Sequence, residues 1–307
     1  MDANLDTLAT AFYVAVDDLL KAYPERVPYR PRIGISPKIS DAELMTLSLM
    51  QALLGFVSEA RWLRYARENY GTMFPYLPGQ SGYNKRLRRL YPSITWVIGV
   101  LVRDTEVGTD DVWVVDSTPV ECGRSRETAQ RSELAGWAEY GFCASHNRFF
   151  WGLRLHLVCT LQGLPVGFAL TGAKADERQV FLDILAGTEA MNEVLADGKS
   201  QILIGDKNYF GAEFERTVDQ AGIELLRPAR KSEKPRGGAK FFKPLRQVIE
   251  SINDTLKGQL DLERHGGRTP QGVITRVTQR LLAMTAAIWH NENIGATIRR
   301  SLIAYDH

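Results

Sequence analysis

The run Val112-Trp113-Val114-Val115, closed by Asp116, decides how the second half of this chain folds. Consecutive β-branched and aromatic residues with no polar alternation mark a strand covered on both faces. Outward from it, residues 149–172 (FFWGLRLHLVCTLQGLPVGFALTG) are two strand-like runs joined at Gln162-Gly163, the pattern of an antiparallel hairpin. Residues 176–185 (DERQVFLDIL) then have helical spacing with acids in the first turn. Gln201-Ile202-Leu203-Ile204 is a further strand running straight into Gly205-Asp206, and Ile223-Glu224-Leu225-Leu226 is another. Val248, Ile249, Ile252 and Leu256 form the apolar stripe of a helix that leaves Glu250 on a different face. Val273, Val277, Leu281, Met284 and Ile288 mark a last long packing helix. The order is strand, hairpin, helix, strand, strand, helix.

Upstream of this region the periodicity changes. Leu8, Phe12, Ala15, Val16 and Leu19, and again Leu44, Leu47, Met50 and Leu54, recur at helical spacing. Ser40 with Glu43 three residues on is a capping box, so a helix begins near Asp41. The expected organisation is an all-α N-terminal domain over residues 1–108 and an α/β domain over 109–307.

Composition excludes several classes. At 307 residues, with 44% hydrophobic and 24% charged residues, the chain is that of a globular protein rather than a disordered or fibrous one. No apolar run reaches the roughly 18 to 20 residues of a membrane span, and the first twenty residues lack a basic start, so a cytoplasmic protein is expected. Three cysteines form no framework. Cys143, His146, His156 and Cys159 have the chemistry of zinc ligands, but His156 and Cys159 lie three apart on a strand and leave opposite faces.

The net charge of +2 names no partner by itself, yet the basic residues are clustered. Between Arg227 and Arg246 eight basic residues face one acid, Glu233, which makes a cationic loop just before the helix of Glu250. Arg61, Arg64 and Arg67 share one helical face, and Lys85, Arg86, Arg88 and Arg89 follow; these either touch phosphates or form a solvated helix surface. Trp137, Tyr140, His146, Asn147 and Arg148 are open to the same two readings, a grip on DNA or aromatics buried under a loop.

Asp116, Asp206 and Glu250 stand out because a carboxylate at the end of an apolar strand, or on a packed helix, is costly unless it is used. Singly, each aspartate also fits a chain turn. Together, on neighbouring strand ends and the following helix, they would repel one another unless divalent cations neutralise them. Magnesium suits such oxygen ligands, and two ions can clamp the attacking and leaving oxygens of phosphoryl transfer.

Three blocks carry a family resemblance: VVDSTPV (Val114–Val120), IGDKNYFG (Ile204–Gly211) and RQVIESINDTLK (Arg246–Lys257). They resemble the catalytic blocks of bacterial insertion-sequence DDE transposases, over about residues 110–290. The third block keeps the family's spacing of Arg246, Glu250 and Lys257, with Lys243 where a tyrosine often stands. The resemblance implies a ribonuclease-H-like fold with a mixed five-stranded sheet flanked by helices. It implies that Asp116, Asp206 and Glu250 bind two Mg²⁺ (or Mn²⁺) ions, and that Arg246 and Lys257 hold the DNA backbone. Glu250 and Lys257, two α-helical turns apart, are placed on one face; Lys207 and Asn208 are further candidates for DNA contact. The implied substrate is double-stranded DNA, namely the element's terminal inverted repeats and its target, held by a homodimer or larger assembly. A nuclease of the same fold, or a DNA-binding protein derived from a transposase, are the alternatives.

Overall fold

A computed structural model describes residues 4–29, 36–143, 147–198, 200–231, 233–234, 236, 242–297, 299–302 and 305, without the side chains of Lys243, Leu245 and Arg246. His146 and Lys240 therefore lie outside the described residues. The described chain divides into two compact units, residues 102–255 and residues 1–101 with 256–307.

The α/β unit is built around β1 (Val112–Gly123). β3 (Arg148–Thr160) runs antiparallel to it from Trp113↔Thr160 to Gly123↔Trp151, with a register shift between Glu121 and Gly123. On its other side β5 (Gln201–Ile204) is parallel, pairing Val112↔Ile202 to Val114↔Ile204, and β6 (Ile223–Leu226) continues the parallel half. The expected hairpin is β3 with β4 (Pro165–Gly172); Gly163 takes φ +89° in its turn, and the Thr160 N–H donates to Leu164 O at 3.0 Å.

The sheet has six strands where five were expected. The extra strand, β2 (Glu139–Cys143), comes from a stretch whose polar residues read as loop. It pairs with residues 148–152 of β3, and β4 pairs with residues 153–159, so the two share one edge end to end and the sheet is five strands wide. Asp116 is likewise not at the end of its strand. The antiparallel ladder carries β1 on to Gly123, and only the parallel ladder to β5 stops short, at Val114.

Alternation along β1 places neighbouring residues on opposite faces. On one face α6 (Glu177–Gly187) and α7 (Glu189–Ala196) pack so closely that a Cβ on Gly167 of β4 would meet Ile184 and Met191 at 2.7 Å. α9 (Phe242–Asp254) covers the other face, resting on β1. α5 (Arg126–Arg131) precedes β2, and α8 (Ala212–Gln220) makes the crossover from β5 to β6 that a parallel pair requires. This is the ribonuclease-H-like arrangement of a mixed sheet between helices.

The helical unit contains α1 (Leu5–Ala22), α2 (Asp41–Leu53), α3 (Glu59–Asn69), most of α4 (Gln80–Arg103) and α10 (Pro270–Asn293). The sequence reading ran the second domain to residue 307, but α10 packs on α1 and α2 and belongs to the helical unit. α10 is buried nearly all round, and its polar side chains are correspondingly paired. Arg276 Nη2 meets Glu59 Oε1 at 2.6 Å, Asn84 Nδ2 donates to the same oxygen at 2.8 Å, and Gln279 Nε2 donates to Ser48 O at 2.6 Å.

The capping box of α2 forms as expected. The Glu43 N–H donates to Ser40 Oγ at 3.0 Å and the Ser40 N–H donates to Glu43 Oε2 at 2.6 Å. Ser40→Ala is expected to cost about 1 kcal/mol, read as a lowered urea midpoint; an unchanged midpoint would show that packing alone holds the helix start.

Candidate functional site

Asp116 and Asp206 each lie two residues beyond the last β1–β5 pair, Val114↔Ile204, so the parallel register sets them side by side at the end of that ladder. Each carboxylate is held. Asn253 of α9 donates from Nδ2 to Asp116 Oδ2 at 3.2 Å. Asn208 donates from its backbone N–H to Asp206 Oδ1 at 2.7 Å and from Nδ2 to Oδ2 at 3.0 Å, an Asx turn that fixes the carboxylate plane.

Burial pushes the Asp116 carboxyl up to about 6, and the charges of Glu177 and Asp206 push the same way, against the Ser117 N–H and Asn253. The consequence for stability has a definite sign. Below about pH 4 the group is protonated folded or unfolded and costs nothing. Between about 4 and 6 the unfolded chain releases a proton the folded chain keeps, so stability falls with rising pH, by at most about 3 kcal/mol, and stays reduced above 6. Asp116→Asn is therefore expected to melt higher than the unmodified protein at pH 8 in chelator, and level with it at pH 4. Equal melting at both values would contradict this.

Glu177 was not foreseen as a site residue. It is the first residue of α6, capped by Asp176, whose Oδ1 accepts from the Arg178 N–H at 2.9 Å. Its Oε1 accepts from Ser117 Oγ at 2.5 Å, and Arg154 Nη1 lies 3.4 Å from it. Arg154 also donates to Ser117 Oγ at 2.8 Å and to the carbonyls of Phe142 and Ala173 at 2.9 and 3.2 Å, stitching β2, β3, β4 and α6 together. The sequence signal for Arg154 was a charged residue inside the apolar run of β3. Glu177 read only as an ordinary first-turn acid.

Tyr209, just past Asp206, is 1% exposed, and its hydroxyl has no protein partner. Burial holds its pKa far above the ordinary tyrosine range, and Glu177, Asp116 and Asp206 add to that effect. A Cβ on Gly205 would meet the Tyr209 ring at 2.9 Å, so that glycine is what lets the ring tuck in.

Glu250 is exposed on α9, three residues before Asn253 and hence on the side of the helix that turns toward Asp116. The contact α9 makes with Asp116 runs through Asn253. Arg246 lies on α9, but its side chain is outside the description. Lys207 is exposed, whereas Asn208 is bound to Asp206. The shared face expected of Glu250 and Lys257 assumed a continuous α-helix. The α-helix ends at Asp254 and continues as a π turn over residues 255–259, and Lys257 Nζ lies 4.0 Å from Glu263 Oε1 within one compact unit. Among the described residues no three His, Cys, Asp or Glu side chains already converge as a metal-binding group.

The cationic loop is less free than its composition suggested. Arg227 is 2% exposed and paired with Glu215 and Glu233, each at 2.7 Å, while Arg236 also reaches Glu215 at 3.1 Å. Arg230 stacks on Phe210, its guanidinium carbon 3.7 Å from the ring centre. Lys231 and Lys234 remain exposed. In the helical unit Arg67 and Arg86 are likewise committed, to Leu63 O and Pro78 O and to Ile39 O and Asp41, leaving Arg61, Arg64, Lys85 and Arg89 exposed. His156 donates to or accepts from Thr171 Oγ1 at 2.9 Å, and Cys143 packs against Phe150 and Ala173. Tyr140, Phe142 and Phe149 are exposed. Among the described residues no helix is long and apolar enough to cross a membrane.

No curated protein matches this chain. A family model does, that of the transposase DDE domain, over residues 108–286. The match takes in β1 with Asp116, β5 with the turn of Asp206, and α9, together with more than half of the chain. The chain belongs to the transposase DDE domain family.

Proposed function

We propose that this transposase cleaves the ends of its element and joins them to target DNA, with Asp116, Asp206 and Glu250 as the catalytic acids. The observation that carries the reading is that Asp116 and Asp206 both follow the same end of the β1–β5 ladder, with Asn253 of α9 bonded to Asp116. Carboxylates so placed suit a hard divalent cation, because the Asp116 charge is penalised by burial and by neighbouring acids and its donors are oxygens. Two Mg²⁺ or Mn²⁺ ions held by the three acids would supply polarisation of the scissile phosphate and of the attacking water or 3′-hydroxyl.

The protein's own groups do the positioning. Asn253 and Asn208 fix the carboxylates of Asp116 and Asp206, which limits reorganisation when the phosphate arrives. Lys207, exposed beside Asp206, and Lys231 and Lys234 of the basic loop supply positive charge toward the DNA backbone. Arg246 and Lys257 take the roles the third block implies, contacts to phosphates near the cut. Asn208 acts first as the partner of Asp206 and reaches DNA only beyond it. The helical unit, with Arg61 and Arg64 exposed on α3, grips the terminal inverted repeats of double-stranded DNA. Two ends must be held at once, which calls for a homodimer or larger assembly, working in the cytoplasm on the bacterial nucleoid.

The test incubates the full chain with a labelled duplex carrying its element's end, in Mg²⁺ and in chelator. Joined products only with Mg²⁺ are expected. Nicks without joining favour a nuclease, and binding without chemistry would reduce the chain to a DNA-binding protein.

A further inference from the structure

We propose that Glu177 is a fourth carboxylate ligand of the acid site, sharing a divalent cation with Asp116. This rests on the reading above, in which Asp116 and Asp206 take such ions. Glu177 begins α6, its carboxylate tied by Oε1 to Ser117 Oγ at 2.5 Å, past the same end of the β1–β5 ladder beyond which Asp116 and Asp206 lie. Its second oxygen, Oε2, makes no bond to protein among the described residues. One oxygen anchored and one open is the arrangement of a carboxylate held ready for a cation.

Tyr209 bears on the same acids. Its hydroxyl is fully buried with no protein partner, and the acids acting on it are Glu177, Asp116 and Asp206, in that order. A buried hydroxyl is ordinarily satisfied. A hydrated cation among these carboxylates brings the hydrogen-bonding water that the protein does not provide, since such ions keep several waters.

The rival role for Glu177 is to neutralise Arg154. That pairing is the longest of the contacts Arg154 makes, 3.4 Å against 2.8 to 3.2 Å to Ser117 Oγ and the carbonyls of Phe142 and Ala173. Arg154 is thus already well supplied with acceptors, and charge neutralisation alone gives no reason for the Glu177 charge to bear on Asp116 and Tyr209.

Mn²⁺ binding to the full chain without DNA, followed by calorimetry, separates the two roles. Glu177→Gln keeps an oxygen for Ser117 and Arg154 but removes the charge. It is expected to weaken Mn²⁺ binding on the order of tenfold or more, with melting in chelator unchanged, and Asp116→Asn is expected to weaken binding as well. Binding unchanged in Glu177→Gln but lost in Asp116→Asn overturns the inference and leaves the acid site standing. No Mn²⁺ binding by the unmodified protein, or none lost in either variant, overturns both. Should Glu177→Gln melt lower in chelator, Glu177→Asp carries the test: it keeps the charge beside Arg154 and withdraws the carboxylate by one methylene. Weakened Mn²⁺ binding by that variant supports the inference, and unchanged binding overturns it.

Discussion

Asp116→Asn is expected to lower cation-dependent cleavage of a duplex end by on the order of 10³-fold or more, about 4 kcal/mol of transition-state stabilisation. The substitution keeps shape. An asparagine carbonyl at this position still accepts from Asn253, so α9 stays on β1. What disappears is a negative charge that the fold maintains against burial and against Glu177 and Asp206. A group kept at such expense is explained by use, and the same variant is the one expected to gain stability at pH 8. Single-turnover nicking, with DNA binding measured beside it, gives the check. Activity within tenfold of the unmodified protein, at equal binding, would remove Asp116 from the chemistry.

Arg276→Ala is expected to cost ~3–5 kcal/mol of stability, because it strands a buried carboxylate. Glu59 is 6% and Arg276 8% exposed, and their contact at 2.6 Å links α10 to α3. The pair sits in a wider network. Arg276 Nη1 donates to Gln279 Oε1 at 3.0 Å, and Tyr83 Oη donates to Gln51 Oε1 at 2.8 Å, with Gln279 Nε2 bridging to Gln51 at 3.2 Å. Replacing both charges together, Arg276→Met with Glu59→Leu, is expected to restore most of the loss, since two apolar groups of similar volume leave no ion unpaired. Urea midpoints of the single and double variants decide it. A single variant shifted by less than about 1 kcal/mol would mean that water reaches Glu59 after the change.

Much of this fold was legible because burial on both faces leaves a strong mark in sequence. Val112–Val115, the β3–β4 hairpin and the capping box at Ser40 are local patterns, and each formed where its pattern lay. β2 was not legible. Its five residues alternate between exposed and buried on an edge, a signal too short and too polar to stand out. The place of α10 was hidden for another reason, since an apolar helix buried on all sides carries no label for the unit it packs into.

The aspartates were conspicuous because each interrupts or ends an apolar run. Glu177 was not, because an acid in the first turn of a helix has a sufficient local explanation in the helix dipole. Asn253 and Tyr209 matter through partners far along the chain or buried around them, which no spacing reveals. The π turn at residues 255–259 was not legible either, because the spacing of Glu250 and Lys257 was read with α-helical periodicity throughout.

The central claim is that Asp116, Asp206 and Glu250 act as one catalytic site, and strand transfer measures it most directly. The unmodified protein and the variants Asp116→Asn, Asp206→Ala and Glu250→Gln are given the same labelled element end, target duplex and Mg²⁺, and joined products are counted beside DNA binding. The expected result is joining by the unmodified protein alone, with binding retained by all four. Wild-type joining by Glu250→Gln, or by either aspartate variant, would contradict the account.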